Sequence, residues 1–228
     1  MIRLDCEQGS PEWIIARLGI PTASRFDKII TPKTMKPSSQ MDGLIEKLAA
    51  EWALGRQVDD AAGLFMDRGS DMEIDAVRWL ELTEDVEVDR VGFVTTDDGT
   101  VGCSPDGFIV GRPRGAEIKV PAAHTHVGYL LDPLNLEYRA QIQGCLLVTE
   151  REDWWRLSYH PTLPKSLTLF QRDEVFIKAL IAALGEFKEK LHEAKERLLK
   201  LGVVPIVPAL TVESGTPKTA LNLNPELE

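Results

Sequence analysis

Glu117 and Lys119 stand two residues apart in the run AEIKV, and Asp106 precedes them in CSPDG. Along a strand alternate side chains share a face, so the carboxylate and the ammonium project together while Ile118 points into the opposite layer. Such a pair also fits a solvent-facing ion pair, which is common and weak. Asp106 changes the balance, because the intervening GRPRG is long enough to fold its strand beside that of Glu117. Two carboxylates would then meet near one lysine, with hard oxygen ligands that favour Mg²⁺ or Mn²⁺ over zinc, a set able to support hydrolysis. Register opposes this. A symmetric hairpin centred between Arg112 and Arg114 pairs Asp106 with Val120 and turns it to the Ile118 face. The site therefore requires an offset of one residue, such as a bulge at Gly111 or Gly115, and a regular five-residue hairpin would dismantle it. Pro105-Asp106-Gly107 also reads as a simple turn.

Further carboxylates and cations bear on the same chemistry. Met66, Glu73, Val77 and Leu80 recur at helical intervals, which places Glu73 in the stripe that faces the sheet. A buried carboxylate needs a metal ion or a cationic partner, or else the helix is rotated so that Glu73 reaches water. The segment RLGIPTAS sets Arg17 at the end of one helix and Ser24 in the first turn of the next, where free N–H groups can bind phosphate or the residues can simply cap. His124 and His126 form H-x-H in a Pro/Ala/Gly-containing stretch that reads as loop rather than as a ligand pair. Cys6, Cys103 and Cys145 are far apart and outside any C-x-x-C pattern, which predicts free thiols.

The elements that must position these groups follow from punctuation and period. Ser10-Pro11 and Gly19 bracket a short helix over WIIARL, and Thr22 can cap a second over ASRFDKII. TPKTMKPSSQ reads as loop; helices are predicted from Met41 to Leu54, ended by Gly55, and from Leu64 to Leu82. VEV, VGFVTT, TVGC, FIV and AEIKV form a strand meander. A helix over Leu136–Val148, strands at WWRLSYH and SLTLF, and a long amphipathic helix over Asp173–Leu201 complete the body. With no repeat and no linker, the expectation is one α/β domain over residues 1–202 and an extension over 203–228 pinned against the body or a neighbouring subunit.

The composition, 43% apolar and 27% charged, is that of an ordinary globular chain. There is no apolar run of roughly 18 residues to span a membrane, and MIRLDCEQGS lacks the regions of a signal peptide, so a cytoplasmic location is expected. A net charge of -10 argues against a broad polyanion-binding surface. Any nucleic-acid surface must be local, with Arg17, Arg25, Lys33, Lys36, Arg112, Arg114, Lys119 and Arg139 as the candidate cations.

Taken in order, W-x3-RLG-x2-TAS (Trp13 to Ser24), G-x3-E (Gly69 to Glu73), CSPDG (Cys103 to Gly107), E-x-K-x-P (Glu117 to Pro121) and the glutamines of AQIQ (Gln141, Gln143) resemble the phage-lambda-type 5′-to-3′ exonucleases of the PD-(D/E)XK superfamily. The resemblance covers roughly residues 10–200. It implies a restriction-endonuclease-like core, a central mixed β-sheet flanked by helices. It implies two Mg²⁺ ions, replaceable by Mn²⁺, held by Asp106, Glu117 and the Ile118 carbonyl, with Glu73 completing the site. Lys119 would orient or help deprotonate the attacking water, one glutamine, Gln143 ahead of Gln141, would position the catalytic groups, and Arg17 and Ser24 would recognise a 5′-phosphate. The substrate would be double-stranded DNA ends, the assembly a homotrimer ring, the partner a phage single-strand annealing protein, and the setting a bacterial host carrying the phage or prophage. Two other readings use the same residues: an end-independent endonuclease of the superfamily, and an inert DNA-end-binding module. Gly107-Phe108 after the aspartate and the long tail depart from the family pattern.

Overall fold

A computed structural model of the protein describes residues 1–58 and 70–208. Its centre is a five-stranded mixed sheet built from β2 (Val88–Asp89), β5 (Gly107–Ile109), β6 (Arg114–Lys119), β7 (Asp153–Ser158) and β8 (Ser166–Gln171), in that spatial order. β6 and β7 run parallel; the other neighbours are antiparallel. The predicted meander divides here, because β1 (Ile2–Leu4), β3 (Phe93–Thr95) and β4 (Gly102–Cys103) form a second, three-stranded sheet.

Alternation along β6 explains why helices cover both faces of the larger sheet. Ala116 and Ile118 join Val88, Ile109, Trp155 and Leu157 in one core, closed by Ala76 and Leu80 of α3 (Ser70–Glu84). The other core holds Phe108 and Trp154 with buried residues of α2 (Met41–Leu54), α5 (Arg139–Thr149) and α6 (Glu174–Lys200). The predicted start of α3 near Leu64, with Met66 and Gly69, lies outside the described residues. α6 buries Phe176, Ile177, Leu180, Ala183, Leu184, Phe187 and Leu191 along one stripe. The Asp173 carboxylate caps its start by accepting from Val175 N and Phe176 N, and Gly202 follows its end at φ +88.

The first helix, α1 (Pro11–Ala16), starts at the predicted Ser10 cap, whose hydroxyl accepts from Trp13 N at 3.2 Å. The second is a short 3-10 helix over Ala23–Lys28, not an α-helix to Ile30. Thr22 precedes it without a side-chain cap and turns its hydroxyl to Ser24 instead, at 3.3 Å. α5 crosses this segment closely at Gly144, where a Cβ would stand 2.4 Å from the Phe26 ring.

The stretch expected as loop around the histidines is a helix, α4 (Ala123–Leu131). His126 and Tyr129, three residues apart, are its buried face. A carbonyl can only accept, so His126 Nε2 donates to Pro164 O at 2.8 Å while Nδ1 meets Ser158 Oγ at 2.7 Å. His124 stays exposed. The pair therefore lies outside the site, though on a helix. Of the extension, residues 203–208 are described, and Ile206 N donates to Ala53 O at the end of α2. That short piece lies on the body of its own chain.

Candidate active site

The ladder between β5 and β6 pairs Gly107 with Ala116 and Phe108 with Gly115. One step further along, the same frame sets Asp106 level with Glu117, not with Val120. The hairpin is thus offset, by three residues rather than one, and an odd offset turns Asp106 to the required side. Gly111, at φ +73, takes the left-handed position in the turn. The Asp106 carboxylate then accepts from Ile118 N at 2.5 Å, which ties it to the adjacent strand.

Glu117 is almost wholly buried on the α5 side of the sheet. Its Oε1 accepts from Lys119 Nζ and, at 2.6 Å, from Gln141 Nε2 of α5. Its Oε2 is buried with no hydrogen-bond partner. Burial first, and the Glu117 charge second, raise the Asp106 pKa well above the ordinary carboxylate range, against the pull of Lys119 and the Ile118 N–H, with Glu73 adding to the rise. Burial opposes the Lys119 charge, but Glu117 and Asp106 outweigh it and hold the ammonium pKa above its usual value.

Two expected members stand elsewhere. Gln143, favoured over Gln141, braces the fold: its Nε2 donates to Gln171 O and its Oε1 accepts from Asp173 N, both at 2.8 Å. Successive helical residues point about 100° apart, so two positions separate the glutamines by more than half a turn, and Gln141 is the one that reaches the carboxylates. Glu73 lies on the sheet-facing stripe with Ala76 and Leu80, but its carboxylate accepts from Arg90 at 2.6 Å. α3 covers the Ile118 face, whereas Glu117 projects towards α5, and Glu73 bears on the site only through its charge, which adds to the rise at Asp106. Among the described residues no three Asp, Glu, His or Cys groups form a ready metal cluster.

The donor chemistry nevertheless suits a hard cation. An unpartnered buried carboxylate oxygen at Glu117 and a second carboxyl at Asp106, crowded against it, are groups whose desolvation a divalent ion would offset.

Arg17 comes to the site through Ser104, two residues before Asp106. The Ser104 hydroxyl accepts from Arg17 Nη1 at 2.6 Å and from Trp13 Nε1 at 2.9 Å, and the guanidinium lies 4.1 Å from the Trp13 ring centroid. Burial and the neighbouring Arg25 lower the Arg17 pKa to about 10, which leaves it charged at neutral pH. Ser24 is exposed and meets Thr22 rather than Arg17. Arg25 pairs with the buried Glu51 at 3.2 Å. Glu51 went unnoticed in the sequence, although its place after Leu44 and Leu48 in the apolar stripe of α2 is the signal that singled out Glu73. Arg114 and Arg139 are committed to Asp153 and Asp173, so they serve the fold.

Residues 12–152 match the family model of the YqaJ-like viral recombinase domain. Among solved structures, the chain is similar to an alkaline exonuclease (LHK-Exo) from Laribacter hongkongensis, at 26% identity and a TM-score of 0.70, covering 84% of this chain and 100% of that one. The complex of LHK-Exo with dAMP matches equally well, at 27% identity and a TM-score of 0.70 over 84% and 100% of the two chains. A phage related exonuclease from Haemophilus somnus 129PT shares the fold, at 12% identity and a TM-score of 0.62 over 80% of this chain and 96% of that one. No curated protein sequence matches.

Proposed function

This chain belongs to the YqaJ-like viral recombinase domain family, and from that premise we propose that it is a Mg²⁺-dependent exonuclease that degrades the 5′-ended strand of linear duplex DNA. The observation that carries the reading is the division of Glu117: Oε1 is engaged by Lys119 and Gln141, while Oε2 is left buried and open beside Asp106. Asp106, Glu117 and the Ile118 carbonyl would hold the cation, and Glu73 would join them for a second ion on leaving Arg90. A bound divalent ion supplies charge neutralisation and an activated water for phosphodiester hydrolysis, with Mn²⁺ as a substitute.

The chain's own residues do the rest. Gln141 fixes the Glu117 carboxylate in the orientation that keeps Oε2 free. Lys119, charged and anchored on Glu117, holds its remaining N–H groups ready for the water or a phosphate oxygen. Arg17 would receive the terminal 5′-phosphate, with Ser24 of the following 3-10 helix as a second donor, and Ser104 links that cation to the Asp106 loop. Repeated hydrolysis from one end would leave a 3′ overhang, the substrate of a phage single-strand annealing protein.

The acidic composition fits a homotrimeric ring threaded by DNA, in which only the channel lining need be basic. A monomer in sedimentation would remove the ring. The activity itself is tested on 5′-phosphorylated linear duplex and on covalently closed circular duplex, each with Mg²⁺ or with chelator. Mononucleotides from the linear substrate alone, and only with metal, are expected. Cutting of the circle would indicate an endonuclease, and no release from either would indicate an inert end-binding module.

A further inference from the structure

Lys119 makes one contact that the nuclease chemistry leaves unexplained. Its Nζ lies 5.0 Å from the centroid of the Tyr138 ring, within the reach of a cation–π interaction. Tyr138 stands at the N-cap of α5, three residues before Gln141, so ring and amide share one face of the helix. The same turn thus touches both members of the ion pair, the amide at Glu117 and the ring at Lys119. The ring is itself held. Tyr129, buried on α4, packs against it edge-on at 6.0 Å, and the Tyr129 hydroxyl lies 3.3 Å from that of Tyr138 and donates to Glu137 at 2.8 Å.

Resting on the nuclease reading above, we propose that Tyr138 is a positioning residue for hydrolysis, its ring face fixing the Lys119 ammonium beside Glu117. A π face attracts the ammonium by its charge, and leaves free the N–H donors that a water or a phosphate oxygen would accept from. Glu117 then takes one N–H of Lys119, the ring restrains the direction of the group, and the remaining donors face the reacting atoms. In this arrangement the hydroxyl of Tyr138 is secondary and the electron density of its ring is what acts.

The test varies that density at constant shape. Phenylalanine and its mono-, di- and trifluorinated analogues are placed at position 138, and kcat and KM are measured on 5′-phosphorylated linear duplex with Mg²⁺. Tyr138→Phe, which keeps the ring, is the reference for the series. Successive fluorination should then lower kcat in steps, to a total loss of roughly three- to tenfold, with KM unchanged. A flat kcat across the fluorinated series overturns the proposal, because a ring that merely fills space is indifferent to fluorine. Tyr138→Leu, if folded, should fall at least as low as the trifluoro variant, and wild-type kcat in it would likewise overturn the idea. Failure of the underlying nuclease reading is distinguishable: wild-type protein would then release no nucleotides, or Lys119→Ala would cleave normally.

Discussion

Replacing Lys119 with methionine isolates the electrostatics of the site from its catalysis. Glu117 is 2% exposed and Lys119 25%. Removing one partner of a buried pair costs about 3–5 kcal/mol, because the remaining charge stays desolvated. Two features reduce that figure here: water reaches the lysine end, and Gln141 still donates to Oε1. The expected loss in the metal-free protein is therefore about 2–3 kcal/mol. For a chain of this size that corresponds to a fall in Tm of roughly 5–10 °C. The assay is thermal unfolding in chelator, followed by the same measurement on Lys119→Met combined with Glu117→Gln. Removing the orphaned charge should recover most of the lost stability while cleavage stays abolished. An unchanged Tm in the single variant, or a double variant no more stable than the single one, would refute the account of Glu117 as a buried charge held by Lys119.

Exchanging the two glutamines for leucine should separate their roles. Gln141→Leu is expected to slow cleavage roughly ten- to hundredfold with little change in Tm, whereas Gln143→Leu should destabilise by about 1–3 kcal/mol through the unpaired groups at Gln171 and Asp173; the reverse pattern in paired kinetic and unfolding measurements would contradict both placements. Arg17→Ala should raise KM chiefly for 5′-phosphorylated ends, and an equal effect on 5′-hydroxyl ends in competition assays would remove Arg17 from phosphate recognition. Asp106 sets a pH dependence. Its carboxyl pKa is raised in the folded state, so the folded protein binds more protons than the unfolded chain above the ordinary aspartate value of about 3.9. Metal-free stability should thus decline as pH rises through that window. Asp106→Asn should flatten the decline in denaturant titrations across pH, and an unchanged slope would show that the carboxyl is not strained.

Part of the candidate site was legible because its signals are local. The strand period placed Glu117 and Lys119 on one face, the helical spacing of Glu73, Val77 and Leu80 put Glu73 on the sheet side of α3, and the apolar stripe of α6 was readable residue by residue. The α4 helix escaped notice because its Pro-bounded, His- and Gly-containing sequence lacks strong local helix signals. What commits it is tertiary, the buried His126 bonded to Ser158 and Pro164. The choice between Gln141 and Gln143 could not be made from AQIQ, since both lie in one helix and only the rotation of α5 against the sheet decides which faces Glu117. Tyr138 was missed for a similar reason: a tyrosine one turn before a glutamine has no chemistry until a lysine from β6 lies beneath its ring.

The order of residues along the chain determined the chemical inventory: two carboxylates, a lysine, a glutamine and an arginine, on elements whose periods and caps are written in a few neighbouring positions. The tertiary structure decided pairing. The offset of the β5–β6 hairpin, which sets Asp106 opposite Glu117, is a property of strand register, and register depends on which of several frames buries most apolar surface against both faces of the sheet. The capture of Glu73 by Arg90 and the open Oε2 of Glu117 arise in the same way. They follow from burial and distance between segments remote in sequence, and no local pattern records either quantity.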